Sequence, residues 1–193
     1  MFDTFNGLPL HPLIVHGVVV LLPLAIVGTV AIALRPAWRT RYGFLVVGAA
    51  LAATAMIPVA TSSGEALEKR VGDPGEHAEL GDQLLWFAVA LLLTSALLVF
   101  LQWRAERVAA TSGDFTGDTM RDFTAVTGEH ASGIRTLSRT PTHTTSRTTS
   151  RQLSTVAVLA VIAAVACGVQ VYRVGDSGAR AAWGDTPASS SGK

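Results

Sequence analysis

The stretch LIVHGVVVLLPLAIVGTVAIAL, residues 13–34, runs for 22 residues without Asp, Glu, Lys or Arg. About 20 apolar residues, rising about 1.5 Å each in a helix, cross a hydrocarbon core of roughly 30 Å. Three further runs are equally apolar and also lack these four residue types; they cover residues 43–60, 84–103 and 153–171. The sequence therefore predicts an all-α polytopic membrane protein in which four transmembrane helices pack as a bundle.

The composition agrees with a membrane location. Charged residues make up 15% of the chain and hydrophobic residues 49%, whereas soluble domains carry about 25% charged residues. A secretory signal peptide is the competing interpretation of the first run. Signal peptides open with a basic segment, but no basic residue precedes Arg35 and Asp3 is the sole charge before it. We therefore expect the first run to be a membrane span.

The charges between the runs predict the orientation, since cytoplasmic loops are enriched in Lys and Arg. Residues 35–42 hold three arginines and no acid, and residues 104–152 hold seven arginines. Residues 61–82 hold six acidic and two basic side chains. We expect the first and third connections to face the cytoplasm, with the second connection and both termini outside. The location implied is a multi-pass bacterial cytoplasmic (inner) membrane, with the lipid bilayer as the principal partner.

The chain divides at the ends of these runs. The third connection is rich in Ser, Thr and Arg and nearly free of large apolar side chains, so it lacks the surface needed to offset the entropy of ordering. The predicted units are helices one to three with the histidines (1–104), a largely disordered cytoplasmic loop (105–152), helix four (153–173) and an outside tail (174–193).

Three of the five histidines fall on the predicted outer side. His11 and His16 flank Pro12 at the start of helix one, and His77 precedes helix three. Proline favours the first helical position, so we expect His11 at the N-cap and His16 pointing into the bundle. Ionisable side chains near membrane helices usually face the bundle interior and mark function. His130 and His143 lie in the third connection and are predicted to be solvated.

Three interpretations of these histidines remain open. His16 and His77, with His11 nearby, could hold haem b between helices one and three. The obstacle is depth, because His77 lies well above the apolar edge of helix three. Alternatively His11, His16 and His77 could bind zinc or copper together with an acid, or the histidines could simply cap helix ends. Gly81, one turn after His77, leaves room for a flat group beside that ring.

No nucleophile–base arrangement, phosphate-binding loop or nucleotide motif is present, so the sequence favours a non-enzymatic role. The net charge of +1 gives no reason to expect nucleic acid as a partner. Cys167, the single cysteine, reads as a small buried or lipid-facing residue. Small residues on helix two favour helix–helix association, which makes a membrane assembly module the alternative to a cofactor protein; they are Gly48, Ala49, Ala52 and Ala53.

The segment GLPLHPLIVHG, residues 7–17, resembles the opening of an uncharacterised bacterial membrane family of unknown function. Its members begin with Leu-His-Pro-Leu-x-Val-His and have four predicted spans. Weaker similarity extends to TSSGEAL (61–67), EHAELGD (76–82) and VYRVGDSGARAAW (171–183). The resemblance implies a similar four-span fold and carries over to His11, His16 and His77. A histidine found in the tail of some relatives is replaced here by Asp176.

Some relatives in that family are fused to a Rieske iron–sulfur domain, which implies redox or respiratory membrane partners. Together with the paired histidines, this resemblance makes haem b binding with an electron-transfer role the leading hypothesis. Two axial imidazoles need their nitrogens about 4 Å apart, since metal–imidazole bonds are about 2.0 Å long. The relative placement of His16 and His77 is therefore the decisive geometric question.

Overall fold

The chain forms four long helices. The computed structural model describes residues 4–5, 8–71, 76–126 and 144–183, with side chains described over 13–65, 76–111, 150–181 and at Trp183. Each helix contains a segment long and apolar enough to cross a bilayer, so the predicted all-α architecture with four spans is confirmed. A two-residue antiparallel pairing precedes the first helix. The elements are β1 (Thr4–Phe5), β2 (Leu8–Pro9), α1 (Leu10–Leu34), α2 (Pro36–Val71), α3 (Glu76–Val126) and α4 (Thr144–Trp183).

The corner between α1 and α2 is tighter than the predicted connection over residues 35–42. Helical structure is interrupted at Arg35, and α2 begins at Pro36. A proline disfavours the α conformation in the residue before it and suits the first helical position. The break therefore falls at Arg35, whose backbone N–H donates to the Ala31 carbonyl at 3.0 Å.

Helix α2 also extends further than the predicted run over residues 43–60. Its candidate span is Pro36–Glu65, and the helix passes through Pro58 to Val71. Hydroxyl groups just beyond the proline bond back to carbonyls three residues earlier: Thr61 to Pro58 at 3.1 Å and Ser63 to Ala60 at 2.9 Å. These local bonds satisfy polar side chains within the helix, so a Ser/Thr cluster need not end it.

The other boundaries also lie beyond the apolar runs. Helix α3 continues to Val126 and α4 starts at Thr144, so helical backbone covers both ends of the segment predicted as a loop. The sequence GDSG, which reads as a turn, lies within α4. The middle of the third connection lies outside the described residues, and disorder there stays a prediction.

The helices pack in the cyclic order α1–α2–α3–α4, with α1 and α3 in little direct contact. One buried cluster draws on all four helices and includes Leu22, Ala53, Leu91 and Cys167. A second cluster surrounds Ile32. Large apolar side chains cover the outside of every span, as expected when the surrounding solvent is lipid. Cys167 is fully buried, in agreement with its predicted role as a small packing residue.

A buried arginine joins three helices near the corner between α1 and α2. Arg39 is 4% exposed; its Nε donates to the Ile32 carbonyl at 3.0 Å and its guanidinium reaches the Ala33 carbonyl at 3.1 Å. These carbonyls lie in the last turn of α1, where helical partners are lacking. The guanidinium also approaches Gln102 of α3 at 3.4 Å. The end of the bundle that carries Arg35, Arg39, Arg41, Arg104 and Arg107 is called the arginine end below.

Candidate functional site

The predicted site residues lie at one end of the bundle because neighbouring helices run antiparallel. Gly17 of α1 packs against Met56 of α2, and Gly28 packs against Val46 further along the pair. The α3–α4 pair is also antiparallel, since His77 contacts Val174 and Leu80 contacts Gln170. The α2–α3 pair is antiparallel too, because Arg39 approaches Gln102 and Gly43 faces Val99. The N-termini of α1 and α3 therefore share an end. This end, carrying His11, His16 and His77, is called the histidine end.

His77 is held against α4 by its Nδ1 atom. That nitrogen lies 3.1 Å from the Val174 carbonyl oxygen and 3.2 Å from Ser177 Oγ. A carbonyl can only accept, so in the neutral imidazole the proton sits on Nδ1 and is donated to Val174. Ser177 Oγ itself donates to the same carbonyl at 3.0 Å. With the proton on Nδ1, the lone pair lies on Nε2, which makes no hydrogen bond with the residues that the structure describes.

A glycine of α4 provides the surface on which the His77 ring rests. A Cβ atom placed on Gly178 would lie 3.0 Å from His77 Cε1 and 3.2 Å from Nδ1. Any side chain at this position would push the ring away. The contact explains why glycine suits position 178, in the GDSG segment, although the segment is helical and not a turn.

A second hydrogen bond joins α3 to α4 one turn deeper. Gln170 is 2% exposed, and its Nε2 donates to the Leu80 carbonyl at 3.1 Å. Amide side chains commonly bond across helices inside membranes, where water is absent. One face of α4 carries Gln170, Val174 and Ser177. His77 and Leu80 of α3 make their hydrogen bonds with this face.

The sequence reasoning overlooked Gln170 and Ser177. Gln170 is the one amide in the apolar run 153–171, and Ser177 follows it by seven residues. Such a pair shares a helix face, which was the available signal. The signal was masked because the tail was expected to leave the helix after residue 173.

His16 lies elsewhere than the sequence suggested. Its side chain is exposed, whereas the sequence predicts that it points into the bundle. The neighbouring Gly17 takes the position facing α2, where a Cβ atom would collide with the methyl group of Met56. Since successive residues in a helix differ by about 100°, His16 is turned away from that contact.

The register of the helices gives the depth of each histidine. The contacts Gly17–Met56 and Gly43–Val99 place His16 level with about Leu85 of α3. His77 is eight residues nearer the end, a difference of about 12 Å at 1.5 Å per residue.

His11 is closer in depth to His77. Its backbone belongs to the first turn of α1, because the helix starts at Leu10 and not at Pro12 as predicted. The same register places it level with about Leu80, three residues or roughly 4–5 Å from His77. The side chain of His11 lies outside the described residues, as do His130 and His143.

The position one turn after His77 on α3 has open space around it. A Cβ atom on Gly81 would have no heavy atom within 4 Å. Gly81 follows His77 by four residues and so lies on the same face of α3. Whether a flat group occupies the space at Gly81 stays a prediction.

Several acidic side chains of the described residues lie at this end. Glu76, Glu79 and Asp82 are exposed on α3. Asp176 of α4 forms an ion pair with Arg180, four residues along the helix. Within the part of the chain that the structure describes, no three His, Cys, Asp or Glu residues are grouped to hold a metal ion.

A family model described as "Predicted membrane protein (DUF2231)" matches residues 7–126. The chain belongs to this family. The matched region includes His11, His16 and His77 and ends before α4. No curated protein and no solved structure matches the chain. The family description gives a membrane location and no reaction, so the function has to be argued from the site itself.

Proposed function

We propose that the histidine end binds haem b and that the chain is an integral-membrane electron-transfer module. The observation that carries this proposal is the orientation of His77. Its Nδ1–H is donated to the Val174 carbonyl, which leaves the Nε2 lone pair for a metal. Metal-ligating histidines usually donate their other ring N–H to a carbonyl or carboxylate in this way, which fixes the ring and raises its basicity.

The open space at Gly81 supports a flat ligand in particular. A porphyrin lying against α3 below His77 would occupy the volume that a larger side chain at position 81 would fill. Haem supplies one-electron chemistry, and the protein contributes the axial ligands and the surrounding polarity. The resemblance to relatives fused with Rieske domains supports a respiratory setting for that chemistry.

A second histidine, from α1, would hold the haem together with His77. The register favours His11 for this role, because its backbone is within about one helical turn of His77 in depth. His16 is about two turns deeper and exposed, so we propose it as the alternative ligand to be tested beside His11.

The proposal is tested by spectroscopy on the full chain purified in mild detergent and supplemented with haem. We expect an α-band in the reduced-minus-oxidised spectrum. His77→Asn should abolish it while the protein stays folded, since the asparagine amide can still donate to the Val174 carbonyl but offers no ring nitrogen to iron. His11→Asn should abolish or shift the band, and His16→Asn should leave it intact. His130→Asn is the matched control.

Absence of any α-band or Soret band after haem supplementation would overturn this function. A haem-free protein that contains stoichiometric zinc or copper by elemental analysis would instead support the metal interpretation of the same histidines. If His77→Leu lowers the melting temperature and no cofactor is found, His77 has a structural role alone.

A second candidate function is a membrane assembly module in which the histidines are structural. It is favoured by the face of α2 that carries Gly48 and Ala52, both exposed, where a Cβ atom added at Gly48 would meet no heavy atom of the described residues within 4 Å. Small residues four apart allow close approach of another helix. Gly48→Leu would reduce cross-linking between subunits or to a partner if this face mediates assembly. Unchanged cross-linking would contradict it.

A further inference from the structure

A groove runs along the outside of the bundle between α1 and α2 at the arginine end. Its volume is about 390 Å³, within the range of roughly 300–1,000 Å³ typical of small-ligand sites. The walls are apolar or aromatic, and they belong to the candidate membrane spans of both helices. We call it the α1–α2 groove; its lining residues are Gly28, Ala31, Ile32, Trp38, Tyr42 and Val46.

The dimensions of the α1–α2 groove match one acyl chain. From Trp38 to Val46 the groove follows α2 for eight residues, about 12 Å at 1.5 Å per residue. One leaflet contributes half of a hydrocarbon core of about 30 Å, or about 15 Å. A lipid tail that enters beside Trp38 would thus lie along most of one leaflet, with its head group at the rim.

The rim of the groove is positively charged. The Arg35 guanidinium lies 4.7 Å from the centre of the Trp38 ring, and that of Arg41 lies 5.5 Å from the Tyr42 ring. Both arginines are exposed, and Trp38 and Tyr42 are themselves in edge-to-face contact with centroids 6.3 Å apart. Two guanidinium groups therefore lie against aromatic rings that line the groove.

Glu106, an acidic residue described near this end of α2, does not neutralise the rim. Residues 35–42 contain no Asp or Glu. Glu106 of α3 accepts from Thr40 at 2.7 Å and from Gln102 at 2.8 Å. Thr40 is two residues from Trp38, about 200° around α2, so this carboxylate lies on the opposite face of the helix from the groove.

We propose that the α1–α2 groove binds an anionic phospholipid, with one acyl chain in the groove and the phosphate between Arg35 and Arg41. Basic residues at the membrane surface attract anionic lipid, and aromatic side chains settle at head-group level. The site lies at the opposite end of the bundle from the histidines, so it is independent of the haem proposal.

The test measures binding of phosphatidylglycerol and phosphatidylcholine to the full chain in detergent, by native mass spectrometry. The wild type should retain phosphatidylglycerol in preference to phosphatidylcholine. The double variant Arg35→Gln/Arg41→Gln should bind phosphatidylglycerol more weakly, by about fivefold for each arginine removed. Equal retention of the two lipids by the wild type would overturn the proposal.

The matched control is Arg104→Gln/Arg107→Gln. The Arg107 guanidinium lies 3.9 Å from the centre of the Trp103 ring on α3. This is also an arginine–aromatic pair, but Trp103 does not line the groove. This variant should bind phosphatidylglycerol like the wild type. An equal loss in both double variants would show diffuse charge attraction instead of a site.

A groove-filling variant separates lipid from protein as the occupant. Ala31→Phe should abolish the preference for phosphatidylglycerol with helicity and melting temperature unchanged; Ala31→Leu is the smaller replacement if the phenylalanine variant fails to fold. If the filled variant instead converts a dimer to a monomer and still binds phosphatidylglycerol, a second copy of the chain covers the groove and the lipid proposal is wrong.

Discussion

The arginine end and the histidine end both join helices by a side chain that bonds to a carbonyl of a neighbouring helix, but they leave different chemistry behind. Arg39 reaches the carbonyls of Ile32 and Ala33, which belong to the last turn of α1 and have no helical partner. His77 reaches the carbonyl of Val174, within a helix that continues to Trp183. Arg39 donates to two carbonyls that have no partner within their own helix. The Val174 carbonyl orients His77, but it also accepts a hydrogen bond from Ser177 Oγ.

The glycine contacts at the two ends also differ, because a stiff side chain faces the glycine at one end and a flexible side chain faces it at the other. Nearer the arginine end, Gly43 faces Val99, and a Cβ atom there would lie 2.7 Å from a methyl of that branched side chain. Nearer the histidine end, Gly17 faces the tip of Met56, an unbranched chain that can move aside. The arginine end is therefore packed rigidly, and the histidine end is able to adapt.

The largest expected effect comes from Arg39→Met, which keeps the apolar stem and removes the donors. The carbonyls of Ile32 and Ala33 would lose their partners in a buried position, and each such loss costs about 1–3 kcal/mol. We expect the free energy of unfolding to fall by about 3 kcal/mol, measured by circular dichroism in detergent.

Arg41→Met is the matched control for this change. Arg41 is exposed and stacks on Tyr42, so its removal should cost less than about 0.5 kcal/mol. If the two variants are equally stable, the Arg39 network does not hold the corner between α1 and α2.

The fold was predictable because long apolar runs have few alternatives in a membrane. Every backbone polar group must be satisfied within the segment, which leaves the helix as the solution for a single run. The helix ends were less predictable. The Ser/Thr residues that continue α2 past Pro58 and the glycines that lie inside α4 are typical of turns in soluble proteins. Here local hydroxyl bonds and the packing of His77 on Gly178 favour the helix instead.

The second prediction compares the two glycine contacts. Gly43→Ala introduces a methyl group against Val99, whose branched side chain is stiff. Overpacking of this kind typically costs about 1–3 kcal/mol. Gly17→Ala should cost less, because the Met56 methyl can rotate away. Unfolding measurements on both variants check the difference.

Gly48→Ala provides the reference for the intrinsic helix preference. Nothing lies within 4 Å of a Cβ atom at that position, so the variant should be neutral or stabilised by up to about 1 kcal/mol. Equal destabilisation at positions 17 and 43 would contradict the contrast between a rigid and an adaptable end.

The candidate site was predictable in part. The position of His77 at the start of helix three was predictable from its place before an apolar run, whereas its role in a site stays a prediction. The exposure of His16 and the bond from His77 to α4 did not follow, because a single sequence gives no rotation of one helix against another. Arg39 illustrates the same limit. Its charge indicated a cytoplasmic loop, but Pro36 places it one helical turn into α2, where it is buried.

The smallest expected effect tests the middle of the bundle, between the two ends. Thr29 is fully buried between the residues of the two core clusters on α1, Ala25 and Ile32, and its hydroxyl makes no hydrogen bond with the described residues. Threonines in helices usually bond to the carbonyl four residues earlier, as Thr54 does with Ala50 at 2.7 Å.

Replacing an unsatisfied hydroxyl with a methyl of the same shape removes a desolvation penalty, so Thr29→Val should raise the free energy of unfolding by about 1 kcal/mol. Thr54→Val loses a bond and should give no such gain. A destabilised Thr29→Val would mean that the hydroxyl is bonded after all, and that the centre of the bundle is as polar as its ends.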